Sequence, residues 1–365
     1  MNIYIFGAKA TAAGLYKALS LLEPDKKIKS FLVSDTAGNV PEIWDVPVKA
    51  ISSVATELSE NEKKGSCIYA AVPEIVHAEI KELLENYGFS NLIMLNSRFE
   101  ADLMGQYFEA EGKFRSVHEL TAGDEAHTLN LTIYTASFYK DKPLNNTLEL
   151  PGYYKKLYLG CEGAKQSGVY IGNQADFYDN TGDNISVLNP NRCEMTAHYW
   201  VWKNRLEGST DDYVGICHYR RILDLSDEDM MRIQQNDVDV VLPYPMIHYP
   251  NAAVHHTWYV TEKDWELMKR VVKDLYPEYW KKFDAVFSAP DFYNYNMLVA
   301  KKQVFADYCA WLYPILDRIE ELSDPPGSVR NDRYTAYLSE SLETLFFMAN
   351  LNNLKIFHTG RLLFT

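Results

Sequence analysis

Short apolar runs along the chain alternate with longer stretches in which apolar residues recur at helical spacing. The first run, Ile3-Tyr4-Ile5-Phe6, reads as a strand that Gly7-Ala8-Lys9-Ala10 turns into a helix over residues 12–22, stopping before Pro24. The same pattern predicts strands at 28–33, 66–72 and 92–95, and a helix at 74–86 with Gly88 just past its end. Strand–helix alternation builds a parallel sheet with helices on its faces. Residues 96–127 show no sustained strand pattern and read as a polar connector with an Ala-Gly-Asp turn at 122–124.

A second set of elements opens with a strand at 129–136, followed by a short one at 157–160. Asn189 before Pro190 reads as an N-cap with proline at the first helical position, starting one helix that runs through Asn204. Strands at 212–217, 238–242 and 298–300 follow, with helices at 304–322 and 334–351. The fold class is α/β. A Rossmann-like parallel-sheet domain is expected over 1–120 and a second α/β domain over 128–365, with the boundary at 115–128.

A length of 365 residues suits two domains. The formal charge of −14 leaves no broad basic surface, so nucleic acid is not an expected partner. No run reaches the roughly 18 apolar residues of a membrane span. The chain opens directly on a strand, without a secretory signal, and its five cysteines are scattered with no CxxC pair, so a cytoplasmic protein with reduced thiols is expected. Aromatic residues are the outlier, with 26 Tyr, 16 Phe and 7 Trp, and six of the seven Trp lie beyond residue 124. Rings with apolar faces and polar tips suit sugar ligands, and equally an aromatic core.

Ligands of open α/β sheets bind beyond the carboxyl ends of the strands. The sharpest candidate there is His218-Tyr219-Arg220-Arg221, at the end of a buried strand. Two adjacent arginines can grip a diphosphate through bidentate bonds, or pair with some of the chain's 50 carboxylates. Asp183 and Asn184 offer groups for sugar hydroxyls or a metal, or serve their own loop. His198, Tyr199, Trp200 and Trp202 share one helix, a spacing usual in core packing. His255 and His256, being adjacent, point apart, and His256 is the site candidate of the two. Asp291 and Glu340 are the candidate general bases, since burial raises a carboxyl pKa toward neutrality. The run from Gly7 to Gly14 keeps only the first glycine of a G-x-G-x-x-G turn; Asp35 is spaced to hold a ribose, but NAD is not expected. Walker A, H-E-x-x-H and G-x-S-x-G motifs do not occur.

The run DNISVLNPNRCEMTAHYWVWKN from Asp183, followed by DDYVGICHYRR ending at Arg221, resembles a family of bacterial capsular and exopolysaccharide biosynthesis proteins. That family is labelled as a domain of unknown function and looks like GT-A-type glycosyltransferases. Asp239 to Pro243, Asn296-Met297, Tyr308 to Leu316 and Tyr337-Leu338-Ser339-Glu340 fit its later elements, and the resemblance spans about residues 130–360. The chain departs from it at Ala136 to Lys140, where a His-Lys pair is common, and at Ser341, where arginine is usual. His218 to Arg221 also takes the place of the Asp-x-Asp metal motif of typical GT-A enzymes.

The resemblance implies a GT-A-like second domain. It implies a hexosyltransferase that moves a sugar, with a hint of galactofuranose, from a UDP-linked donor to a surface polysaccharide or lipid-linked glycan. His218, Arg220, Arg221, Asp183, Asn184 and Asn296 would contact the donor. Glu340 or Asp291 would be the base, and His256 and Trp200 would meet the acceptor. Mn²⁺ or Mg²⁺ is left open as a cofactor, and a lipid-linked acceptor implies peripheral contact with the inner face of the membrane. Alternatives from other classes are a non-catalytic sugar-nucleotide-binding scaffold and an NAD-dependent sugar-nucleotide oxidoreductase.

Overall fold

The computed structural model describes residues 2–122, 130–144, 149–172, 174–327 and 330–365. Ile3–Phe6 (β1), Ile28–Val33 (β2), Glu42–Ile43 (β3), Val46–Ala50 (β4), Cys67–Ala70 (β5) and Asn91–Met94 (β6) form one sheet in the order β3-β4-β2-β1-β5-β6. All neighbours are parallel except β3 and β4, a hairpin whose turn holds Trp44 and Asp45 at positive φ. Gly7 ends β1 at φ +125°, where an added Cβ would lie 2.6 Å from the Ala71 carbonyl oxygen. The close approach of the β1 and β5 ends therefore accounts for this glycine.

The connector expected at 96–127 contains a 15-residue helix, Ser97–Glu111. Asn96 caps it by accepting from the Phe99 N–H, and Gly112 ends it in the left-handed conformation. Its buried stripe of Ala101, Met104, Tyr107 and Phe108 has helical spacing between the Asn96 start and Gly112 stop signals, a pattern that a connector reading passes over. The residues of the expected 122–124 turn beyond Ala122, and Leu129 of the next strand, lie outside the described residues.

The remaining strands are Leu131–Phe138 (β7), Tyr154–Leu159 (β8), Phe177–Tyr178 (β9), Tyr213–His218 (β10), Arg221–Leu223 (β11), Val240–Pro243 (β12), Met246–Ile247 (β13), Asp291–Phe292 (β14), Leu298–Lys301 (β15), Ile356–Thr359 (β16) and Arg361–Leu363 (β17). The larger sheet has the order β16-β12-β15-β10-β7-β8-β9, with β11 joined to β10 and β17 to β11. β15 runs antiparallel between β12 and β10, while β10, β7, β8 and β9 are parallel. β13 and β14 pair with each other apart from this sheet. The α/β class read from the alternation of elements is the class observed.

The single helix expected from Asn189 is two, Asn189–Arg192 and Met195–Asn204, broken at Cys193, whose φ is 43°. Asn189 is not a cap. Its Nδ2 donates to the Cys193 carbonyl at 3.0 Å and to Thr196 Oγ1 at 3.1 Å, bracing the break. The helices Lys302–Leu322 and Tyr334–Ala349 pack into the aromatic-rich core beside the larger sheet. The two sheets are tied by an Arg98–Asp224 ion pair, by Ser97 Oγ accepting from the Leu363 N–H at 2.9 Å, and by Arg361 3.7 Å from Glu100. Among the described residues no helix is long and apolar enough to cross a membrane.

Candidate active site

β7, β8 and β10 are neighbours in the parallel part of the sheet, and a pocket of about 350 Å³ opens at their carboxyl ends. Its walls are Ala136, Ser137, Phe138 and Asp141 at the end of β7, His218 to Arg221 after β10, and Asn189, Pro190, Cys193 and Glu194 at the helix break. Arg333, immediately before the Tyr334–Ala349 helix, completes it. The break at Cys193 is thus what brings Glu194 to the strand ends.

Arg220, Arg221 and Arg333 line this pocket together. Arg98, Arg192, Arg232, Arg318, Arg330 and Arg361 each have an acidic partner. Among the described residues none lies within ion-pair distance of the three pocket arginines. Burial, and then the charges of Arg361 and Arg220, pull the Arg221 pKa down. The Tyr295 ring sits 4.4 Å from the Arg221 guanidinium and 4.7 Å from that of Arg361. Arg333 Nε donates to Cys193 Sγ at 3.0 Å. Three guanidinium groups facing one pocket, with the Asp141 and Glu194 carboxyls in the same wall, can hold an anion, and their fork geometry matches phosphate oxygens.

Tyr295 and Asn296 hold φ values of 78° and 49°, a conformation rarely adopted by non-glycine residues and kept only where surroundings enforce it. Here the enforcement is a set of hydrogen bonds. The Tyr295 N–H donates to Glu340 Oε1 at 2.9 Å, and its carbonyl accepts from His218 Nε2 at 2.7 Å. Asn296 Nδ2 donates to Glu194 Oε1 at 2.8 Å, and His255 Nε2 donates to Glu340 Oε2 at 2.9 Å. Burial pushes the His218 pKa down to about 3, so its ring is neutral and carries its proton on Nε2. Glu194 lines the pocket and is half-buried, with Oε1 held by Asn296. Burial, helped by the Glu340 charge and opposed by the Asn296 hydrogen bond, raises its pKa to about 7. The nearby Asp141 carboxyl is also raised by burial and accepts from the Phe138 N–H at 2.6 Å.

Residues 142–351, more than half of the chain, match the family described as a domain of unknown function, DUF4422. The chain belongs to that family. No curated protein matches it. Among solved structures, this DUF4422 chain is similar to the apo form of WbbM, a bifunctional glycosyltransferase, at 27% identity and a TM-score of 0.53. The likeness covers 64% of this chain and 45% of that one, so this chain spans less than half of WbbM's length. The fold is glycosyltransferase-like.

The other residues expected at the site fall in several places. His218, Arg220 and Arg221 line the pocket, and Asn296 is buried behind it on Glu194. Asp183 and Asn184 do not reach it. Asp183 accepts from the Tyr199 hydroxyl at 3.1 Å, and Asn184 bonds the Gly182 carbonyl and the Ser186 N–H, closing its own loop. Trp200 is core, 4% exposed, with Nε1 donating to the Thr181 carbonyl at 2.9 Å. His256 is turned away, stacked 4.4 Å from Trp265 with Nε2 3.0 Å from Glu262, whereas its neighbour His255 faces inward. Glu340 stands behind Tyr295 rather than in the pocket wall.

Asp291 lines a separate, largely apolar cavity of about 540 Å³ with Phe114, Val286 and Met348, where burial raises its pKa to about 6. The pairing of β14 with β13 puts it there. At the first sheet, Lys9 Nζ sits 4.2 Å over the Trp258 ring, and Tyr249, Val254 and Trp258 leave a cavity of about 50 Å³ beside the Gly7–Ala10 turn. Asp35 accepts from the Ala37 N–H in its own turn. Among the described residues no three His, Cys, Asp or Glu side chains converge as a metal ligand set. Glu194, Asp141, His255 and Arg333 are the site residues that sequence reasoning missed. Only Glu194 and His255 stood inside segments it had singled out.

Proposed function

We propose that the chain is a glycosyltransferase whose arginine pocket holds the diphosphate of a nucleotide-sugar donor. The observation that carries this reading is one pocket lined by Arg220, Arg221 and Arg333, unpaired among the described residues, with Glu194 beside them. The likeness to WbbM supports the reaction class. In this account an acceptor hydroxyl oxygen attacks the anomeric carbon as the bond from that carbon to the diphosphate oxygen breaks. The arginines take up the charge that develops on the leaving diphosphate, and Glu194 receives the hydroxyl proton. A carboxyl with a pKa of about 7 is half ionised at neutral pH and well matched to that proton. Glu340 and His255 act as positioning residues, holding Tyr295 and through it His218.

The donor we favour is UDP-linked, with galactofuranose as one candidate sugar. The acceptor is a glycan, free or lipid-linked, and a lipid-linked one would bring a cytoplasmic protein to the inner face of the membrane. Residues 1–120 form an accessory domain in this account, and 128–365 the transferase domain. Thermal melting against UDP-, GDP- and dTDP-sugars and NAD(H), with and without Mn²⁺, tests the reading, because a ligand that binds only the native state raises its melting temperature. Stabilisation by one nucleotide-sugar class is expected. Stabilisation by NAD(H) alone would overturn it.

A further inference from the structure

We infer that the stacked rings of Tyr259 and Tyr337 are the platform on which the acceptor saccharide lies. This inference rests on the transferase reading above and names the acceptor side of the same site. The two ring centroids are 4.5 Å apart with planes 15° from parallel. Most aromatic residues of the larger sheet and its helices are buried, but Tyr259 is 46% exposed. Neither phenol oxygen has a hydrogen-bond partner among the described residues.

The pair also stands where an acceptor must stand. Tyr337 lies one helical turn after Arg333, and the Arg333 guanidinium is 5.7 Å from its ring. Glu340 follows Tyr337 three residues later on the same helix. On the other side, the Tyr259 ring is 4.9 Å from the His255 ring, which holds Glu340. The platform therefore borders the arginine pocket on the Arg333 side. It is also braced from the first sheet, because Lys9 sits over Trp258, the residue before Tyr259.

The chemistry of the pair fits a sugar. One face of a pyranose presents C–H groups, which carry slight positive charge and meet the negative face of an aromatic ring. Its hydroxyls point outward, toward phenol groups that are free to bond them. A flat nucleobase is the competing occupant, and the test separates the two.

Saturation-transfer NMR with methyl β-D-galactopyranoside and methyl α-D-mannopyranoside, in the presence of UDP, reads the platform. UDP titration by calorimetry reads the arginine pocket independently. Saturation is expected at ring C–H protons of at least one glycoside. It should fall about two- to tenfold in Tyr259→Ala and Tyr337→Ala, the range that corresponds to one aromatic contact, and return in part in Tyr259→Phe, which keeps the ring and loses the phenol. Melting temperatures confirm that each variant is folded. Three results would overturn the inference: no transfer to either glycoside, equal transfer in wild type and Tyr259→Ala, or loss of UDP affinity in Tyr259→Ala matching that in Arg333→Gln. UDP binding without sugar contact removes the platform and leaves the donor pocket. Sugar contact without UDP binding removes the UDP-linked donor and leaves the platform.

Discussion

Replacing Glu194 by Gln should make the protein more stable and less active, and the pH should reveal why. Folding raises this carboxyl from the ordinary 4.5 to about 7, chiefly by burial. Its protonated form is therefore favoured in the native state. The corresponding stability is fully present below pH 4.5 and is lost as the pH rises through about 7. That interval is worth at most about 3 kcal/mol. Glutamine is isosteric, cannot ionise, and keeps an oxygen to accept from Asn296 Nδ2. Wild type and variant should thus melt together near pH 4.5 and diverge above pH 6. At pH 8 the variant should be ahead by about 3 kcal/mol, or about 4 °C if the chain melts as one unit. Turnover should move the other way, falling about 10²- to 10⁴-fold with the loss of a general base. Calorimetric melts of both proteins at four pH values from 4.5 to 8 check the first half. A difference that stays constant with pH, or a variant less stable at pH 8, would refute the burial argument.

Other perturbations separate residues that act from residues that hold. Asp291→Asn should stabilise the protein above pH 6, where wild type loses the contribution of its buried acid, and leave UDP affinity as it was; a collapse of turnover would restore Asp291 as the base. His255→Ala removes the donor to Glu340 Oε2 and should cost about 1–3 kcal/mol of stability, with kcat falling more than UDP affinity; unchanged kcat would detach this chain of bonds from the site. Phe177 and Tyr134 pack on Trp200, so Trp200→Ala should cost about 3–5 kcal/mol in stability, as a buried aromatic does; a folded variant with only its acceptor KM changed would return Trp200 to the site.

What could be read from the sequence was whatever is local. The buried strand that stops abruptly at His218-Tyr219-Arg220-Arg221 marks a strand end facing solvent, and the structure lines a pocket with it. Arg333 joins the same wall from a distant helix start, and no local pattern announces it. Glu194 lies in a run of helical periodicity, and that periodicity hides the positive-φ break at Cys193 that brings it to the pocket. Adjacent histidines must point apart, yet spacing alone does not say which faces inward; packing of His256 on Trp265 decided for His255. Asp291 and Glu340 both sit in apolar surroundings, and only strand pairing separates the cavity of one from the network of the other. Asp183 and Asn184 show the reverse case: polar groups in a loop satisfied their own backbone and neighbours.

The most direct measurement is a calorimetric titration of UDP into the wild-type protein and into Arg220→Gln, Arg221→Gln and Arg333→Gln, in a buffer free of phosphate. A hydrogen bond from a charged group contributes about 1.5–3 kcal/mol, so each substitution should weaken UDP by about ten- to 150-fold. Arg333, which no sequence motif marks, should count as much as the other two, because it faces the same pocket. Wild-type protein that binds no UDP, or three variants that bind it as tightly as wild type, would contradict the account.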